Sequence, residues 1–135
     1  HLGPCLDSMP NYEEARDILG TRFIVGADAT HSRHDAMSLG EAGAEYVGFG
    51  LGGHATEAAR ASRRELVQWW SEIFEVPCVA LDIDTPDETA ELSAAGADFV
   101  AVRMPSGLVS GEAAQWLDGH AAALIRSAAL RAATA

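Results

Sequence analysis

The run EAGAEYVGFG at 41–50 and its echo AAGADFVAV at 94–102 decide how this 135-residue chain folds. Each reads as the end of a helix, a glycine stop, a turn of small residues and then a buried strand. Gly43 and Gly96 stand where the chain leaves a helix with positive φ, a conformation that only glycine takes at little cost. Tyr46-Val47 and Phe99-Val100 then bring the aromatic and β-branched residues that suit a strand. A helix handing directly to an apolar strand, twice over, predicts repeated βα units.

Working outward, the same grammar covers the rest of the chain. His1–Gly3 reads as the end of a strand, and the absence of an opening methionine predicts a piece of something longer. Asn11-Tyr12-Glu13-Glu14 has the form of a capping box for a helix stopped by Gly20. RFIVGAD at 22–28 predicts a strand, and Thr30 or Ser32 caps the helix that runs to Gly43. Ser62-Arg63-Arg64-Glu65 predicts another cap, followed by Leu66, Trp69, Trp70, Ile73 and Phe74 on one apolar face. PCVALDI at 77–83 is the next strand, and Thr85-Pro86-Asp87-Glu88 opens the helix that ends at Gly96. Phe99–Arg103 is a fifth strand, and Ser110 caps an alanine-rich helix carrying Leu117, Ala121, Leu124, Ile125 and Ala128.

Short apolar strands alternating with helices predict one α/β domain over 1–135 with a parallel sheet. Two architectures accept this order. One is the last five βα units of a (β/α)8 TIM barrel, and the other is a five-stranded doubly wound sheet. Open parallel edges on such a piece predict self-association, so a homo-oligomer stays open.

A net charge of −11 excludes duplex nucleic acid and anionic membranes as natural partners. All nine basic residues are arginine, which excludes lysine Schiff-base chemistry and a P-loop. Cys5 and Cys78 show no metal spacing and no disulfide framework, so a reducing cytoplasm is the expected compartment.

In either architecture chemistry sits at the carboxyl ends of the strands. Those ends carry Asp7, Asp28, the glycine-rich Gly48–Gly53, then Asp82, Asp84 and Arg103. The carboxylates can hold Mg²⁺ with substrate phosphate oxygens, or serve only as turn and cap residues. Gly48, Gly50, Gly52 and Gly53 offer backbone amides to an anion, although no dinucleotide fingerprint is formed. His54 lies in that loop as a candidate acid/base group, whereas His31 and His34 read first as an exposed helix start and His120 as a solvated mid-helix residue. Arg103 either binds phosphate or pairs with Asp82.

HLGP at 1–4, FIVGADATHSRHDAM at 23–37, GEAGAEYVGFG at 40–50, PCVALDI and AAGADFVAVR resemble, in order, the thiamine phosphate synthase family. The resemblance implies a (β/α)8 barrel entered at its fourth strand. It implies a transferase that joins hydroxymethylpyrimidine diphosphate to a thiazole phosphate with Mg²⁺ and releases pyrophosphate. The implied ligands are small phosphorylated heterocycles. Asp7 would be the metal ligand, His31 and His54 the catalytic candidates, and Gly26, Gly48 and Gly50 would line the site. Three departures stand out. Gly50-Leu51-Gly52-Gly53 replaces a Gly-Pro loop with its following lysine, Leu81-Asp82-Ile83 replaces Gly-Gly-Ile, and Arg103-Met104 replaces Ser-Ala. They leave a second function open, a family member that binds a small ligand without turnover.

Overall fold

The computed structural model describes residues 1–4 and 8–134. The elements are α1 (Ser8–Leu19), β1 (Gly26–Asp28), α2 (Arg33–Glu41), β2 (Tyr46–Phe49), α3 (Glu57–Ile73), β3 (Cys78–Ile83), α4 (Pro86–Ala95), β4 (Phe99–Val102) and α5 (Ser110–Thr134). The four strands form one parallel sheet in the order β1-β2-β3-β4. Leu2 adds a single parallel bridge to Ala27 on the outer side of β1, with its amide 2.9 Å from the Gly26 carbonyl oxygen. The predicted first strand is thus present as one bridge.

One face of the sheet carries the core. Ala27, Val47, Phe49, Cys78, Ala80 and Ile83 meet Tyr12, Ala36, Leu39, Val67, Trp70 and Leu92 from the helices. Trp70 is its largest member. Its ring stacks on Phe74 at 4.1 Å, and its indole N–H donates to the Val76 carbonyl oxygen at 2.7 Å. On the alternate strand positions, Tyr46 covers Gly26 and Leu81 covers Gly48 so closely that neither glycine has room for a β-carbon.

Local chemistry explains the helix ends. Thr85 and Glu88 form a complete capping box with Pro86 at the first position, as its sequence predicts. Ser32, rather than Thr30, caps α2 by accepting from the Asp35 amide. Gly43 and Gly96 have φ of +91° and +114°, as expected of the repeated motif.

Several expectations are corrected. The helix placed after Ser62 begins at Glu57, capped by Thr56, because Glu-Ala-Ala-Arg-Ala is itself good helix sequence. Asn11 lies inside α1, not at its cap. The Arg22–Asp28 strand shortens to Gly26–Asp28, since the Glu45 carboxylate takes the Val25 amide at 2.9 Å and ends the ladder there. Ile73 is exposed because α3 stops at it and Phe74 folds back onto Trp70 in its place. In α5, Leu117, Leu124 and Ile125 face outward, while His120, Ala123 and Ser127 are buried. Here α5 packs on the polar side of α4, with His120 Nδ1 2.7 Å from Thr89 Oγ1 and Arg131 donating to the Ser93 carbonyl oxygen at 2.8 Å. His120 is therefore an interior residue, not a solvated one.

The two glycine stops differ in what surrounds them. Nothing lies near a β-carbon at Gly43, whereas one at Gly96 would overlap the Ser71 side chain. Gly43→Ala is expected to cost about 1 kcal/mol through its backbone alone. Gly96→Ala is expected to cost roughly 2 kcal/mol or more, part of which Ser71→Gly restores. Urea denaturation of the four variants checks this double-mutant cycle.

Candidate functional site

The carboxyl ends of the strands converge on Gly50. A β-carbon there would stand 2.7 Å from Asp82 Oδ2 and 3.0 Å from Asp28 Oδ2, so the chain passes between two carboxylates. Asp28 is almost fully buried and accepts from the Thr30 amide at 2.6 Å. Burial pushes its carboxyl above the usual range, with the nearby charge of Asp82 acting the same way, against the lowering effect of the Thr30 and Gly50 amides. Asp82 Oδ2 accepts from the Leu51 amide at 2.8 Å. Two non-glycine residues of this rim have positive φ, Thr30 at 55° and Asp82 at 59°. Both stand where a strand gives way to the site, and each is held by hydrogen bonds that make the left-handed conformation tolerable.

Behind Asp82 lies a charged network. Arg63, 2% exposed, donates to the carbonyl oxygens of Leu81 at 2.8 Å and Asp82 at 2.9 Å, and to Glu88 at 3.2 Å. Arg60 donates to the same Glu88 oxygen at 2.7 Å. The second Glu88 oxygen accepts from the amides of Asp84 and Thr85. Burial alone would raise the Glu88 carboxyl, but these amides and the two guanidiniums hold it down at about 2. Arg103 makes a two-pronged pair with Asp84 at 2.9 and 2.6 Å and lies 3.9 Å from Asp82. Its principal partner is thus Asp84, because the irregularity between Ala80 and Ile83 turns Asp82 toward β2.

Over β1 and β2 the rim opens into a cleft of about 630 Å³ lined by Pro4, Ala29, Thr30, His31, Ser32, Asp35, Gly52 and His54. Gly52 and Gly53 turn with φ of 61° and 82°. A β-carbon at Gly52 would stand 2.8 Å from Thr30 Cγ2, with the His31 ring in ordinary contact at 3.8 Å. His31, read by position as a helix start, and His54, read as a loop residue, thus line one cavity.

The residues read from the strand ends sort into three groups. Asp28, Gly50, Asp82 and Arg103 form the central rim, and His31, Gly52 and His54 line the cleft, with Gly53 completing its turn. Gly26 and Gly48 lie lower in the sheet, beneath Tyr46 and Leu81. Asp7 falls outside the described residues. Arg60, Arg63 and Glu88 were not among the site residues read from sequence. The signal for Arg63 was present, since it shares one helix face with Leu66, Val67 and Trp70, and an arginine on an apolar face calls for a buried partner. Among the described residues no three His, Cys, Asp or Glu side chains converge to hold a metal ion. Cys78 is buried in β3 with its thiol pushed up to about 11 by desolvation, which makes it unreactive. No helix among the described residues is long and apolar enough to cross a membrane.

Residues 1–105 match the family described as thiamine monophosphate synthase. A thiamine-phosphate synthase of Erythrobacter litoralis is 47% identical over 106 residues, covering 76% of this chain and 48% of that protein. One from Hyphomonas neptunium is 42% identical over 126 residues, covering 92% of this chain and 52% of that protein. Among solved structures, the thiamine phosphate pyrophosphorylase of Pyrococcus furiosus superposes with a TM-score of 0.68 at 20% identity, over 93% of this chain and 58% of that one. An α/β sheet of parallel strands with a buried-acid rim defines the class of protein, and the match over 1–105 narrows it. The chain belongs to the thiamine monophosphate synthase family. It spans about half the length of the curated relatives it matches.

Glu88 sets a pH dependence. A carboxyl held at about 2 against an ordinary 4.5 adds stability above its unfolded value, and that stability is lost as pH falls from 4.5 toward 2. Asp28, whose value is raised, contributes in the opposite sense and loses stability as pH rises through its folded value. Glu88→Gln is expected to flatten the acid decline and to cost about 3 kcal/mol at neutral pH by leaving Arg63 buried without its anion. Urea midpoints measured from pH 2 to 7 for both proteins test this.

Proposed function

We propose that this chain supplies about the last five βα units of a (β/α)8 barrel enzyme of the thiamine phosphate synthase type. That enzyme joins hydroxymethylpyrimidine diphosphate to a thiazole phosphate and releases pyrophosphate in the cytoplasm. Strands in sequential order, with a core on a single face, support the barrel reading, because an open doubly wound sheet reverses its order and is covered on both faces. The observation that carries the functional reading is the convergence of His31, His54 and the Gly52 turn on one cleft at the strand ends.

In that cleft the chemistry is positioning and charge stabilisation. In this reading the amides of the Gly52-Gly53 turn and the N–H groups of the two imidazoles donate to the oxygens of a departing diphosphate. The two imidazoles stand in a chain that offers no lysine. Mg²⁺ belongs to this proposal through Asp7, which lies outside the described residues.

A second reading, a family member that binds a small phosphorylated heterocycle without turnover, is favoured by one observation. The rim arginines Arg60, Arg63 and Arg103 are all engaged by carboxylates of the chain. The native-length polypeptide, supplied with both substrates and Mg²⁺, is expected to form thiamine phosphate, detected by mass spectrometry. His31→Ala and His54→Ala are each expected to lower kcat/KM on the order of 10²-fold. His34→Ala, on the exposed surface of α2, should leave it unchanged. Ligand binding with no product from the folded wild type selects the second reading.

A further inference from the structure

The carboxylate of Asp82 is fixed from three directions. In front, its Oδ2 accepts the Leu51 amide at 2.8 Å. Beside it, the chain at Gly50 passes so near that a β-carbon would stand 2.7 Å from that same oxygen. Behind it, the buried Arg63 holds the carbonyl oxygens of Leu81 and Asp82 at 2.8 and 2.9 Å and so retains the φ of +59°. A non-glycine residue in that conformation is uncommon, and here it aims the side chain at the glycine turn. The first amide of that turn, a natural donor to an incoming anion, thus already carries a carboxylate of the chain itself. Arg103 does not reverse the local sign, because its closer partner is Asp84 at 2.6 Å and Asp82 lies 3.9 Å away. Asp28 adds a second carboxylate on the other side of Gly50.

We propose that Asp82 is a specificity-determining residue that acts as an internal anion on the Leu51 amide and divides the rim in two. The phosphate-bearing end of a substrate is turned away from the ends of β2 and β3 and is left to the His31–His54 cleft. The ends of β2 and β3 receive a neutral or cationic part of a heterocycle. The identity of the substrates rests on the synthase reading, but the exclusion of phosphate by Asp82 does not.

The test is titration of the native-length polypeptide with inorganic phosphate, followed through the Leu51 amide signal by NMR and by calorimetry. Asp82→Gly suits a φ of +59° and frees the amide, so the variant folds. It is expected to bind phosphate at least about tenfold more tightly than wild type, with the Leu51 signal moving during titration. Asp82→Asn keeps an oxygen on the amide and is expected to gain less than about threefold. A folded Asp82→Gly protein with unchanged phosphate affinity overturns the proposal. A gain in Asp82→Asn equal to that of the glycine variant overturns the role given to the Leu51 amide, since the charge of Asp82 would then exclude phosphate without its hold on that amide. Absence of thiamine phosphate synthesis in every variant would count against the synthase reading and leave the phosphate result to decide this one.

Discussion

The buried guanidinium of Arg63 is the constraint on which the site's shape depends. It reaches from the middle of α3 to the last carbonyls of β3 and to Glu88 in the first turn of α4, so one side chain joins three elements. A cation this deep is tolerable only when its donors are met, because removing it from water costs several kcal/mol. Its Nη atoms are met, and Nε alone is buried without a hydrogen-bond partner. Glu88 serves both sides of the arrangement, neutralising Arg63 and Arg60 with one oxygen and capping α4 with the other. Loss of either partner would leave the other charge stranded and release the end of β3, where Asp82 begins.

That local order propagates to the rim. With β3 held at Leu81 and Asp82, its pairing with β4 becomes irregular between Ala80 and Ile83, and Asp82 turns toward the glycine strand. Gly50 is required because two carboxylates approach where its β-carbon would be. Thr30 makes the matching adjustment after β1, its left-handed backbone held by the Asp28 carboxylate at 2.6 Å. The rim is thus built from two aspartates, each bonded to an amide of the turn that leaves the sheet.

Much of the fold was legible because its punctuation is local. A glycine after a helix, a proline in a first turn and a threonine three residues before a glutamate act within one turn of chain. Gly43, Gly96 and the Thr85 box appear where such signals place them. Features that depend on a partner were not legible. The end of α3 was decided by Phe74 folding onto Trp70, and the buried face of α5 by Thr89 and Ser93 on another helix. The strand ends named most of the rim, since a parallel sheet gathers them on one side. The sequence could not say that Arg103 would choose Asp84 over Asp82, because that choice turns on an irregularity of register. Ser62 misled for a related reason: a short capping pattern competes poorly with five residues of good helix sequence before it.

The charges of the rim decide what kind of binding remains available. Arg60, Arg63 and Arg103 face Asp82, Asp84 and Glu88, and every one of these cations is within reach of a carboxylate. Pairing of this kind stiffens the ends of β3 and β4 but leaves little positive potential to draw a phosphate there. The cleft over β1 and β2 is different in kind. Its lining offers the two imidazoles and the Gly52 turn, with Asp35 as its one carboxylate and no arginine among the described residues. In a chain whose net charge is −11, the field of the whole molecule works against any anion, so only local donors such as these could favour one.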